Sequence, residues 1–137
     1  MFIWDEEYKT QVEELDKQHI ELFKIGNKAY EVFKDIDVIN RQNKILTIIN
    51  ELKDYIVYHL RYEEEYLQSI GFEDLENHKK THSIFIDKVE AFIQRLNELD
   101  YSSSYDDESS QIAEILYFIY KWIDEHILVI DAKYARK

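Results

Sequence analysis

The chain has 137 residues, a length that fits one domain with a proper buried core. It contains no proline and only two glycines, and 45% of it is hydrophobic, which favours long helices over a turn-rich β fold. The absence of cysteine excludes disulfides and thiolate-bound iron–sulfur or haem sites. A net charge of −12 argues against nucleic acid or a membrane surface as partner.

Four amphipathic stretches follow an aromatic-rich arm. The arm is predicted at residues 1–15, with Asp16 as the N-cap of the first helix. Gly71 stands where a left-handed residue would end the second helix, and a polar segment at 100–110 interrupts the pattern before the fourth. The periodicity of apolar residues predicts helices at about 16–37, 39–70, 74–99 and 110–134.

Short connections between these stretches favour antiparallel neighbours. We therefore expect an all-α fold, an up-down-up-down four-helix bundle that forms a single domain over residues 1–137. No signal peptide and no apolar run of membrane-spanning length is found, so the expected location is cytoplasmic. We expect a monomer or a small homo-oligomer, with an unidentified protein as a further possible partner.

All five histidines fall into one spaced pattern, in which two of them are followed closely by an acid. Residues four apart share a face of a helix, and the starts of helices one and three meet the ends of helices two and four in such a bundle. We therefore expect seven donor side chains at one level of the bundle. They are His19, His59 and Glu63, His78 and His82, and His126 and Asp131.

Each of these residues has a plainer interpretation when taken alone. A single helical histidine is commonly a satisfied core or surface residue, and His59 with Glu63 is also an ordinary helix pair. Asp131 follows His126 by five residues and converges with it only if the helix has a local bulge or a frayed turn. Burying five imidazoles among apolar neighbours without partners would be costly, so the combined pattern favours a metal site.

The number of donors indicates two metals rather than one, because seven exceed the needs of a single octahedral ion. If both carboxylates bridge the metals together with an oxide or hydroxide, one coordination position stays empty. Mixed imidazole and carboxylate donors suit iron, with manganese as the alternative.

The pattern H…HxxxE…HxxxH…HxxxxD resembles the hemerythrin family, in particular its single-domain bacterial members. The resemblance covers essentially the whole chain and includes Trp4 and the run 15–19, LDKQH. It implies two iron ions with an oxo or hydroxo bridge. One iron would be bound by His78, His82 and His126 and the other, five-coordinate, by His19 and His59, while Glu63 and Asp131 bridge the pair.

Reversible O2 binding at the iron with the empty position is the function that this resemblance implies. The protein would then be an oxygen carrier, store or scavenger, not an enzyme, and no residue is assigned a catalytic role. Apolar helical neighbours of the donors are expected to line the O2 pocket, although simple core packing is the alternative for each. They are Leu22, Phe23, Ile56, Ile86, Trp122, Ile123 and Ile127.

Other functions are compatible with the same fold. Sensing of oxygen, redox state or nitric oxide, and iron storage or repair, would use the same di-iron site. A ferritin-like oxidase is disfavoured because no glutamate lies three residues before any histidine, and the HExxH motif of zinc proteases is absent. A purely structural bundle would account for the amphipathic helices but not for the donors.

Overall fold

The computed structural model describes residues 3–4, 6–10, 12–35, 41–98 and 105–127, without the side chains at 41 and 105–108. Most of the described residues are helical, and a single 3-10 turn at Glu6–Tyr8 lies in the N-terminal arm. The helices are α1 (Glu13–Lys34), α2 (Arg41–Ser69), α3 (Leu75–Asn97) and α4 (Tyr105–Glu125).

The four helices pack in a ring. Each helix packs against the next one along the chain, and α1 also packs against α4. Neighbours run antiparallel: Gln42, at the start of α2, donates a hydrogen bond to the carbonyl of Leu96 at the end of α3, at 3.4 Å. The predicted all-α four-helix bundle is confirmed. None of the helices in the described ranges is both long enough and apolar enough to cross a membrane.

Two apolar clusters lie on either side of the level that holds the histidines. The smaller one is formed by Leu15 and Leu67, one turn from the donors of α1 and α2, and Phe72 and Leu75 pack against it. The main core fills the rest of the bundle and includes Leu22, Ile56, Phe85, Ile119 and Ile123. A polar layer enclosed by apolar clusters is shielded from water, which strengthens electrostatic interactions inside it.

The C-terminus of α2 is closed by Gly71, as its position in the sequence predicts. Its φ of +67° is left-handed. The amide of Gly71 donates to the carbonyl of Gln68 at 3.1 Å, and the amide of Phe72 donates to Leu67 at 3.0 Å. These two bonds form a Schellman motif, and Phe72 also packs near Leu67 as that motif favours. The sharp stop turns the chain into α3 and brings His78 toward Glu63.

The start of α1 differs from the expectation. The helix begins at Glu13, Val12 occupies the N-cap position without a side-chain cap, and Asp16 lies inside the first turn. The carboxylate of Asp16 instead accepts hydrogen bonds from the backbone amide and the hydroxyl of Thr10, both at 2.8 Å. The prediction of Asp16 as N-cap is therefore wrong, because its side chain fixes the buried Thr10 of the arm to the helix.

The arm is also fixed to α4. The hydroxyl of Tyr8 donates to the carboxylate of Asp124 at 2.5 Å. Burial and this carboxylate both raise the pKa of Tyr8. Its ring meets Phe23 edge-on at 5.3 Å, and Trp4 contacts the same phenylalanine at 5.8 Å.

The fourth helix begins earlier than expected, at Tyr105 and not near Ser110. Serine and acidic residues are favoured at the first turn of a helix, so the polar composition of 100–110 is as compatible with a helix start as with a loop. The first helix ends at Lys34, with Asp35 as its extended C-cap, and not at about 37 as expected. The expected end of the fourth helix, at 134, lies outside the described residues.

Candidate metal centre

Six of the seven predicted donors lie together at one level of the bundle. His19 lies in the second turn of α1, His59 and Glu63 lie on α2, and the first turns of α3 carry His78 and His82. His126 follows the last residue of α4, where the chain continues as a π-helical turn through Ile127. All six side chains are buried, with at most 4% of their surface exposed. Asp131 lies outside the described residues.

The six donors form two groups that share one carboxylate. We call His78, His82 and His126 the three-histidine group, and His19 and His59 the two-histidine group. In each group, one ligand atom per residue, including one from Glu63, lies within 4.8 Å of all the others. Glu63 is the only member of both groups found within the described residues.

The three-histidine group surrounds Oε1 of Glu63. His78 Nε2 forms a short hydrogen bond with this oxygen, and the Nε2 atoms of His126 and His82 lie 3.2 and 3.3 Å from it. The Nε2 atoms of His82 and His126 are 3.1 Å apart. Three imidazole nitrogens thus converge on a single carboxylate oxygen, more than its two lone pairs can accept as hydrogen bonds in good geometry.

The two-histidine group lies on the side of the other carboxylate oxygen. Nε2 of His19 and Nε2 of His59 are 3.0 Å apart. Oε2 of Glu63 lies 3.6 Å from Nε2 of His59, beyond hydrogen-bond distance, and has no hydrogen-bond partner among the described residues. A buried carboxylate oxygen without a partner is costly, and a bound cation would satisfy it.

The surroundings of the site lower the pKa values of Glu63 and His59. Burial alone would raise the pKa of Glu63, but the charge of His126 and hydrogen bonds from the three-histidine group hold it well below the ordinary value. Burial and the neighbouring His19 lower the pKa of His59 well below its ordinary value. At neutral pH Glu63 is therefore a carboxylate and His59 a neutral imidazole, which are the forms that bind metal ions.

The spacing of the nitrogens fits a metal ion with octahedral geometry. At a metal–imidazole distance of about 2.1 Å, two nitrogens at right angles around an ion lie about 3.0 Å apart, and tetrahedral angles separate them by about 3.4 Å. The observed separations are 3.0 Å between His19 and His59 and 3.1 Å between His82 and His126. Together with the unpartnered Oε2 of Glu63, they indicate that each group could hold one cation with its imidazole ligands near right angles.

Two further polar residues contact the outer nitrogens of the histidines, and neither was assigned a role from the sequence. Oε1 of Gln18 lies 2.8 Å from Nδ1 of His59, and Oε2 of Glu64 lies 3.3 Å from Nδ1 of His82. Each stands next in sequence to a predicted donor, Gln18 before His19 and Glu64 after Glu63. That adjacency, and for Gln18 its place in the run 15–19, LDKQH, are signals in the sequence that could have indicated them.

A small apolar cavity of about 10 Å³ lies beside the two-histidine group, with room for about one water-sized molecule. Five of the seven expected pocket residues line it. Phe23 packs instead against the arm, and Ile86 packs against the main core. Leu60 was missed, although it follows His59 directly and lies one turn after Ile56. The lining consists of His19, Leu22, Ile56, His59, Leu60, Trp122, Ile123, His126 and Ile127.

Trp122 connects the cavity to the three-histidine group. Its indole is stacked on His126, with ring centroids 4.3 Å apart and planes at 13°, and on Phe85 at 3.8 Å and 5°. Stacking on both faces restricts the orientation of the His126 ring. Trp122 thus both lines the cavity and orients the ring of His126, one of the predicted metal ligands.

Comparisons with known proteins identify the family of the chain. A family model of the hemerythrin HHE cation binding domain matches residues 10–137. The chain is 42% identical over 134 residues to a bacteriohemerythrin from Clostridium acetobutylicum, covering 98% of both chains. It is 25% identical over 133 residues to a bacteriohemerythrin from Pseudomonas aeruginosa, covering 97% of this chain and 78% of the relative. A hemerythrin-like protein from Naegleria gruberi is 26% identical over 133 residues, with 97% and 90% covered. The chain therefore belongs to the hemerythrin family of cation-binding domains, as its motif predicts.

Proposed function

We propose that this chain holds two iron ions and that O2 binds reversibly at the iron pair, on the side that borders the apolar cavity. The observation that carries the proposal is the position of Glu63, whose Oε1 is surrounded by the three-histidine group while Oε2 lies 3.6 Å from His59. A carboxylate placed in this way is suited to bridge two cations. The bacteriohemerythrin name of the relatives supports iron and O2 over other metals and ligands.

The proposed ligand set contains the six described donors and Asp131. His78, His82 and His126 would bind one iron, and His19 and His59 the other, with Glu63 as a bridge. Asp131 is proposed as the second bridge. The π-helical turn at His126 and Ile127 supports this, because hydrogen bonds between residues five apart align positions that a regular α-helix would set far apart.

The iron pair, when bound with its oxo or hydroxo bridge, supplies the electrons for reversible O2 binding. The chain's own residues would then provide access and protection. Leu22, Ile56 and Ile123 exclude water from the side of the two-histidine group, which has one ligand fewer. By excluding water, these side chains would disfavour charge separation at the site and would thereby protect bound iron from autoxidation.

The size of the cavity supports binding of a diatomic ligand and not oxidation of an organic substrate. About 10 Å³ admits one small molecule, and the lining offers only apolar side chains and the histidines of the site. We therefore propose a carrier, store or scavenger of oxygen without catalytic turnover. Sensing of oxygen or nitric oxide would use the same cavity.

Iron stoichiometry tests the two-site assignment. After anaerobic reconstitution with ferrous iron, the parent protein is expected to bind about two irons per chain. His59→Leu removes one of the two nitrogens on one side and is expected to retain about one iron, held by the three-histidine group. A parent with one iron or none, or a His59→Leu variant that still binds two, would contradict the proposal.

A further inference from the structure

Gln18 is a buried amide whose two ends contact different helical neighbours. Only 1% of its surface is exposed. Its Oε1 lies 2.8 Å from Nδ1 of His59 across the interface of α1 and α2, and its Nε2 lies 3.2 Å from a carboxylate oxygen of Glu14, one turn earlier on α1. A buried amide is stable only when its polar atoms are paired, and here both ends are.

The carboxylate of Glu14 fixes the direction of every bond in this chain of contacts. An ionised carboxylate only accepts hydrogen bonds, so the end of the Gln18 amide that faces Glu14 must be the NH2 group. The carbonyl oxygen of Gln18 then faces His59 and can only accept. His59 must therefore donate from Nδ1, which leaves the lone pair of a neutral imidazole on Nε2.

Nε2 is the nitrogen of His59 that faces the rest of the site. It lies 3.0 Å from Nε2 of His19 and 3.6 Å from Oε2 of Glu63. A lone pair there is available to a cation, whereas a proton on Nε2 would block it. We propose that Gln18 is a positioning residue that holds His59 as the Nδ1–H tautomer and so prepares the two-histidine group for metal. This inference rests on the proposed function.

In the three-histidine group, the corresponding outer partner is an acidic residue, Glu64. His82 Nδ1 lies 3.3 Å from Oε2 of Glu64, a carboxylate whose side chain is 23% exposed. Both contacts favour the same tautomer, but a carboxylate partner adds electron density to the imidazole and a neutral amide adds less. The two-histidine group, which borders the cavity, is thus the one with the neutral outer partner.

The tautomer of His59 is measurable without iron or O2. In metal-free, 15N-labelled protein at about pH 8, above the ordinary histidine pKa of about 6.5, long-range 15N–1H correlations distinguish Nδ1–H from Nε2–H rings. We expect the Nδ1–H form for His59 in the parent and a mixture of tautomers in Gln18→Leu. Gln18→Glu is expected to restore the Nδ1–H form, since either ionisation state offers an acceptor oxygen. Gln68→Leu, at an exposed position on α2, serves as the control.

Zinc binding, measured by competition with a chelator, gives the second readout. Gln18→Leu is expected to weaken zinc affinity by about 10- to 100-fold, as for other partners of metal-binding histidines, while Gln18→Glu binds zinc at least as tightly as the parent and Gln68→Leu stays close to it. An Nε2–H ring at His59 in the parent would overturn the inference without any variant. So would a folded Gln18→Leu protein with unchanged tautomer and affinity. If the tautomer is as expected but loaded protein does not bind O2, only the proposed function fails.

Discussion

Oε2 of Glu63 lies 3.6 Å from Nε2 of His59, one turn earlier on the same helix, while Oε1 of the same carboxylate contacts His78 and His82 of α3 and His126 in the turn after α4. The i,i+4 spacing places the two side chains on one face of α2, and the antiparallel packing brings α3 and α4 to the opposite side of the carboxylate. The carboxylate of Glu63 therefore lies between the two groups of histidines, with one oxygen toward each.

Replacement of Glu63 by glutamine should disable both halves. The variant keeps the shape of the side chain but loses the charge and one metal-binding oxygen. We expect iron affinity to fall by more than about 100-fold, since outer partners of ligands alone account for 10- to 100-fold. Iron content after gel filtration is the measurement, and Glu65→Gln, an exposed neighbour on α2, is the matched control. Equal iron content in the two variants would contradict the bridging role.

The metal-free protein should lose stability in mild acid. The pKa of His59 in the fold lies well below its ordinary value of 6.5, so the unfolded chain binds this proton first and stability falls as pH drops below about 6.5. The pKa of Glu63 is also depressed, so the stability that it contributes is present above its ordinary value of 4.5 and is lost as pH falls toward the folded-state pKa.

Urea unfolding of the metal-free protein at about pH 7.5 and 5.5 tests this pH dependence. The free energy of unfolding should fall by up to about 1.4 kcal/mol per pH unit for each proton taken up on unfolding. His59→Leu should show a shallower decrease than the parent, because one such proton is removed. A parent whose unfolding midpoint is the same at both pH values would contradict the depressed pKa.

Ile123→Thr should speed autoxidation of the loaded protein without loss of iron. Ile123 is buried in the wall of the cavity, and a hydroxyl there would admit water beside the two-histidine group. Ile115→Thr places the same change in the core of α4, away from the cavity lining, and controls for a general loss of stability. Decay of the oxygenated spectrum is followed in air. If both variants decay at the rate of the parent, Ile123 does not protect the site.

Gly71→Ala should destabilise the protein through backbone conformation alone. The φ of +67° disfavours a side chain by roughly 1–2 kcal/mol, while a Cβ built at this position meets no atom within 4 Å. Gly71→Asn should cost less, since asparagine tolerates the left-handed region. Thermal unfolding of the two variants measures the difference. A stability of Gly71→Ala equal to that of the parent would show that the turn relaxes.

The periodicity of the sequence was sufficient to predict the bundle. It also predicted that the donors of α2 and α3 lie at one level, namely His59, Glu63, His78 and His82. Both depend on local spacing and on short connections, which the sequence displays directly. Asp16 was misassigned because an acid near a helix start fits an N-cap as well as it fits a bond to Thr10, and only the path of the arm distinguishes them.

Tertiary packing determines what the sequence could not reveal. Gln18 is one polar residue among many on α1, and only its position opposite Nδ1 of His59 gives it a role. The packing of α3 against α2 determines which carboxylate oxygen of Glu63 faces which group of histidines. The metal-binding role of the donors and the part of Asp131 stay predictions.

An anaerobic-to-aerobic optical titration of the iron-loaded protein tests the central claim most directly. We predict that O2 produces a visible charge-transfer absorption, that the change saturates at about one O2 per two irons, and that removal of O2 restores the starting spectrum over repeated cycles. An unchanged spectrum on addition of O2, or an oxidation that removal of O2 does not reverse, would contradict reversible oxygen binding by this chain.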